Sequence, residues 1–129
     1  MALKVFVLII GGLFLIIGFA GIFTPENFAS GLGLSFANEE GSGTIRAMIG
    51  AHYVAMGGVC IFAISRGLSI LLFPIAAIEV AMVIARGIAA MNGEFGTATL
   101  VPTTIEILAA GILIVAAKKL SPPKSLTIE

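Results

Sequence analysis

The chain has 129 residues, 59% of them hydrophobic and 11% charged, with a mean hydropathy of +1.16, far more apolar than an ordinary soluble domain. Seven basic residues balance seven acidic ones, which removes the electrostatic case for a nucleic-acid partner. The lone cysteine, Cys60, excludes an internal disulfide and a paired-thiolate zinc site; His52 is the only histidine, and Asp and Trp are absent.

The apolar residues come in blocks of about 20, enough to cross ~30 Å of hydrocarbon. The first span covers about 3–23. Lys4 and the small residues "GFAG" give it some look of a secretory signal, but the apolar run exceeds a signal core, so a retained helix is expected. Next, "TPENFASGLGLS" reads as a short interfacial helix: Thr24 as N-cap, Pro25 at the first position, Glu26 at the positive end of the dipole. Phe28 and Leu32, four apart, would dip into the interface, and Gly31 or Gly33 would end the turn. "ANEEGSG" reads as a flexible tether into a second span at about 44–64. "RGLS" is a tight connection that predicts an antiparallel hairpin with the third span, about 68–90. Pro74 would kink that span near its start. A fourth span covers about 100–117, and 118–129, with two prolines, reads as a surface tail.

Backbone groups in lipid must bond within their own segment, and the ~10-residue alternation of a β-barrel is missing. The expected fold is therefore all-α, a single integral-membrane four-helix bundle over 1–129. Lys4, Arg66, Lys118, Lys119 and Lys124 fall on one side of four crossings, and Glu26, Glu39, Glu40 and Glu94 on the other. Basic flanks stay cytoplasmic, which puts both termini inside a membrane expected to be the bacterial inner membrane.

Arg46, His52, Glu79, Arg86 and Glu106 fall within the spans, all in the outer half, on three different helices. Each charge at the bilayer centre costs ~2.5–3.5 kcal/mol on insertion scales, so these side chains must face other helices. Glu79 and Arg86 are two turns apart on one face of the third span. Glu79 is the deepest, where burial favours a carboxyl's neutral form. Arg46 or Arg86 is expected to pair with Glu106, and Tyr53 shares a face with Arg46, Gly50 and Gly57 from which its hydroxyl could join them. Two readings stand: an ion-pair network that fixes which helices are neighbours, or a polar pocket for a ligand or proton.

Weaker signals accompany these. His52 without a second histidine or a cysteine pair is more readily a hydrogen-bonded core residue than a haem or metal ligand. Cys60 reads as a small apolar filler, and Met48, Met56, Met82 and Met91 as packing rather than a copper site. Gly11, Gly18, Gly50, Gly57 and Gly111 would let helix backbones approach closely. Ala77, Ala81 and Ala85 recur every fourth residue roughly opposite Glu79, either as lipid-exposed alanine or as a docking stripe for a neighbouring subunit.

"TPENFASGLGL", "IRAMIGAHYVAMGG", "ARGIAAMNGEFG" and "PTTIEILAAGIL" in this order resemble a family of small four-span bacterial proteins known as a domain of unknown function, distantly similar to DoxX-like membrane proteins. Pro25, Gly33, Arg46, Gly50, Gly57, Arg86, Gly93 and Glu106 carry the likeness. It implies a four-helix membrane fold and no particular reaction. No nucleophile–base pair or cofactor motif can be assembled from the residues. The expected function is thus non-catalytic: an accessory or structural subunit of a larger membrane complex, with lipids and other subunits, or further copies of itself, as partners. The alternative is a binding protein for a quinone, lipid or sterol-like molecule.

Overall fold

A computed structural model describes residues 1–120, and all its regular structure there is helical. The tail at 121–129, including Lys124, lies outside the described residues. Four helices are long and apolar enough to cross a membrane: α1 (Ala2–Phe23), α3 (Glu40–Arg66), α4 (Ser69–Met91) and α5 (Thr97–Leu120). A short helix, α2 (Pro25–Gly31), follows α1. At 22 residues, the shortest of the four is about 33 Å long. At most 33% of any span's most apolar stretch is buried within the bundle, so apolar side chains such as Phe6, Ile9, Ile16, Ile84 and Leu108 point outward. Helices apolar all round in a bundle this small are compatible with an integral membrane protein.

Three helix ends are set by glycine. Gly33, Gly67 and Gly93 adopt φ of +74°, +68° and +75°, where a Cβ would strain the backbone. Each end closes with a hydrogen bond of 2.8–2.9 Å from the next residue's N–H: Leu34 to Ala29, Leu68 to Ala63 and Glu94 to Ala89. Gly33, not Gly31, therefore ends the α2 turn. Thr24 sits at the N-cap position of α2 without capping it; its hydroxyl donates back to the Ala20 carbonyl of α1 at 2.9 Å. The expected tether "ANEEGSG" is largely helical, because α3 begins at Glu40 and runs without a break into the second span. Pro74 falls in the first turn of the α-helical part of α4 (Leu72–Met91), where no intrahelical bond is lost, so it is Pro102, inside α5, that interrupts a helix ladder. Lys118 and Lys119, expected in the tail, form the last turn of α5.

α1 packs along α3, and α4 along α5, while α3 and α4, though joined by the Gly67 turn, touch little beyond it. Glycine makes the α1–α3 seam. A Cβ on Gly57 would lie 2.6 Å from the Gly11 carbonyl oxygen, and one on Gly18 2.6 Å from the Val54 nitrogen. Gly50 faces Gly21 in the same way, whereas Gly111, expected to serve a close approach, has open space around it. The tight core lies toward the end that carries Lys4, Arg66, Lys118 and Lys119. There Val7, Phe14, Cys60, Ala63, Leu72, Ala76, Ala109, Leu113, Ala116 and Ala117 are buried together. Small side chains let the helices close with little residual space.

Candidate functional site: a cavity in the acidic-loop half

Toward the opposite end, the four long helices and α2 surround a half-open cavity of about 560 Å³. Ile17 of α1, Phe28 of α2 and Leu32 just past its end form one wall. Phe28 and Leu32, expected to dip into the interface, are both half-buried at this wall. α3 contributes Met48, Ile49, His52 and Tyr53; α4 contributes Ile78, Met82 and Arg86; α5 contributes Val101, Pro102, Ile105 and Glu106. Such a volume lies in the usual range for small-molecule pockets, as does an apolar lining with a few convergent polar groups.

Two local irregularities shape the space. Residues Arg46–Ala51 form a π-helical segment, an interruption that recurs at functional sites. Through this wider turn Arg46, Gly50, Tyr53 and Gly57 all still meet α1: Gly50 and Gly57 pack on its backbone, Tyr53 meets Phe14 while also lining the cavity, and the exposed Arg46 reaches the Ile22 carbonyl. On α5, Pro102 has no N–H to donate and presents its ring to the cavity. Thr103 and Thr104 nearby bond back to the carbonyls of Thr99 and Leu100 at 2.6 and 2.8 Å.

The polar groups converge on one pair. Arg86 Nη2 lies 3.3 Å from Glu106 Oε1, and Arg86 Nε lies 3.4 Å from Oε2, a two-pronged contact in which the Glu106 side chain is 3% exposed and that of Arg86 29%. Of the two arginines considered for Glu106, the structure pairs Arg86. Arg46 instead donates through Nη1 to the Ile22 carbonyl. That carbonyl is one of the last four of α1, which lack intrahelical partners and form the negative end of its dipole. Arg46 therefore secures the α1–α3 junction and stands outside the cavity.

Tyr53 stacks edge-on against Phe14 at 5.5 Å, and its hydroxyl reaches the Met82 sulfur at 4.0 Å. His52, on the cavity wall, has its ring edge-on to Tyr53 at 6.2 Å. Glu79 is wholly buried, and among the described residues neither of its oxygens has a hydrogen-bond partner. Among the described residues no three His, Cys, Asp or Glu side chains gather as a metal-binding set, and none is assigned. Cys60 is buried in the tight core; Met48 and Met82 line the cavity, Met56 belongs to the core, and Met91 is exposed. Ala77, Ala81 and Ala85 all lie on the exposed face of α4.

Sequence reasoning missed the apolar walls, since Ile17, Ile49, Ile78, Val101 and Ile105 read like any core or lipid-facing residue. Pro102 inside an apolar span was the one available signal. No protein-family model, curated protein or solved structure matches this chain.

Proposed function

We propose that the protein is a non-catalytic integral membrane protein that binds a lipophilic small molecule in the cavity between α3, α4 and α5. The observation that carries this reading is the cavity itself: apolar walls of ligand size around an Arg86–Glu106 pair, with His52 and Tyr53 at hand. Apolar walls of this extent gain dispersion contacts from an occupant of matching shape. The ends bearing Lys4, Arg66, Lys118 and Lys119 would face the cytoplasm, so the cavity lies in the outer half of the membrane, bacterial inner membrane in this reading. Quinones, lipids and sterol-like molecules have suitable apolar bulk and a polar group for the pair. The motif likeness to the four-span family of unknown function is compatible with this and supplies no chemistry.

The second reading, an accessory subunit of a larger complex, draws on α4. It is the least enclosed of the spans, 22% buried over its most apolar stretch, and it exposes Ala77, Ala81 and Ala85. Purification from native membranes in a mild detergent, followed by intact-mass measurement and solvent extraction, separates the two. The binding reading expects a co-purifying small lipophile that is absent from the cavity-filling variant Ile78→Trp. A chain with nothing bound, held in a hetero-complex, would establish the subunit reading instead.

A further inference from the structure

A second space lies between α1 and α5, which touch far less than α1 touches α3 or α4 touches α5. It is a groove of about 190 Å³. Buried Ile10 and Ala109 form its floor, and the exposed Phe6, Ile9 and Leu108 stand at its rim. Every side chain that lines it is apolar.

Ile105 joins the two spaces, since it lines the groove and the cavity alike. The spacing on each helix continues across that junction. On α1 the cavity residue Ile17 leads back to Leu13, then to Ile10 or Ile9, then to Phe6, in steps of three or four residues. On α5 Val101 leads through Ile105 to Leu108 or Ala109 and on to Ile112 in the same steps. Residues so spaced share one helix face, so one face of α1 and one face of α5 bound both spaces. The order of polarity along them is fixed: the Arg86–Glu106 pair stands in the cavity, and the groove leads away from it toward the basic end. From Phe6 to Leu13, and from Ile105 to Ile112, each helix rises roughly 10 Å. A volume of about 190 Å³ spread over that length has the width of a single alkyl chain and is narrow for fused rings.

We propose that the groove takes the flexible chain of the molecule whose polar head lies in the cavity beside Arg86 and Glu106, so that the ligand is a single-chain lipophile of the acylglycerol kind and not a rigid polycycle. This rests on the reading of the cavity as a binding site. Bulk lipid is as apolar as the groove, so hydrophobicity alone gives a chain no preference for it. A head bound in the cavity supplies the preference, because it raises the concentration of its own chain at Ile105.

Two isomers of a photoreactive 1-acylglycerol test this on the full chain in detergent micelles, one with a diazirine beside the ester and one with it near the chain end. Irradiation expels dinitrogen, the carbene inserts into a neighbouring C–H bond, and peptide mass spectrometry locates the adduct. An alkyl diazirine without the glycerol head reports the lipid-facing surface. The ester-side label is expected on the cavity segments 48–53 and 78–86, and the chain-end label on 6–13 and 108–112. In Ile78→Trp, which fills the cavity and leaves the groove untouched, both should fall to the level of the headless probe. Chain-end labels spread evenly over exposed residues such as Ile16 and Ile84 of the wild-type chain overturn the groove assignment, whether or not the variant folds; an ester-side label in the cavity then leaves the cavity reading standing. Groove labelling that persists in folded Ile78→Trp, or that the headless probe matches, means that chains enter independently of the cavity and also overturns the proposal. Ester-side labels that fall outside the cavity overturn both readings.

Discussion

The two halves of the bundle are built from the same helices and pack in opposite ways. Toward the basic end, Cys60, Ala63, Ala76, Ala109, Ala116 and Ala117 bring the helices close, and Phe14, Leu72 and Leu113 fill what remains. Toward the acidic end, α3 widens into a π turn, α5 carries Pro102, and Ile, Met and Pro side chains line a space instead of filling it. Small residues close one half; in the other, α1 and α3 still meet at Gly21 and Gly50, while Ile, Met and Pro side chains line the space that α3, α4 and α5 leave.

The largest expected effect breaks the closed packing. In Gly57→Val the new side chain meets backbone, with the Gly11 carbonyl oxygen only 2.6 Å from the Cβ position, so α1 and α3 must separate. The expected outcome is loss of the monodisperse folded species in size-exclusion chromatography, since an obstacle of backbone cannot move aside as a flexible side chain does. A smaller effect sharpens the contrast between the halves. Leu113→Ala, in the tight core, should cost ~2–5 kcal/mol in a denaturation series in mixed micelles, whereas Met48→Ala, on the cavity wall and 72% exposed, should stay within about 0.5 kcal/mol. Equal costs would mean that the space closes when the protein is in its native surroundings. An effect below that of Leu113→Ala comes from Glu106→Gln, which keeps the shape and part of the hydrogen bonding to Arg86 but removes the charge. It should cost ~1–3 kcal/mol if the pair is structural. If the pair anchors a ligand, the folded variant should instead lose the co-purifying molecule. A variant that keeps both stability and ligand would remove Glu106 from either role.

The spans were legible because crossing a bilayer requires long apolar stretches whatever the tertiary arrangement, and all four coincide with long helices. Their ends were read less well. "ANEEGSG" looked like a tether because of its glycines and serine, yet the chain is helical from Glu40. Thr24 has the right chemistry for an N-cap and spends its hydroxyl on the carbonyl behind it. Glu79 and Glu106 were recognisable as internal from cost alone, and Arg86 with Glu106 from similar depth; Arg46 and His52 carry the same signal and are exposed. Arg46 was not separable from Arg86 on that basis, because its partner is a backbone carbonyl of another helix, which has no residue-type signature.

The sequence by itself determined four helices long and apolar enough to cross a membrane, the grouping of basic and acidic loops, and which charged residues fall within the spans. These follow from transfer energetics and from spacing along one chain. Only the tertiary structure decided which helices pair, which arginine meets Glu106, that Glu79 is left without a partner, and that one half of the bundle encloses a cavity. Those outcomes depend on how side chains from separate helices fill the space between them, and an apolar residue reads the same whether it faces a neighbour, a cavity or lipid.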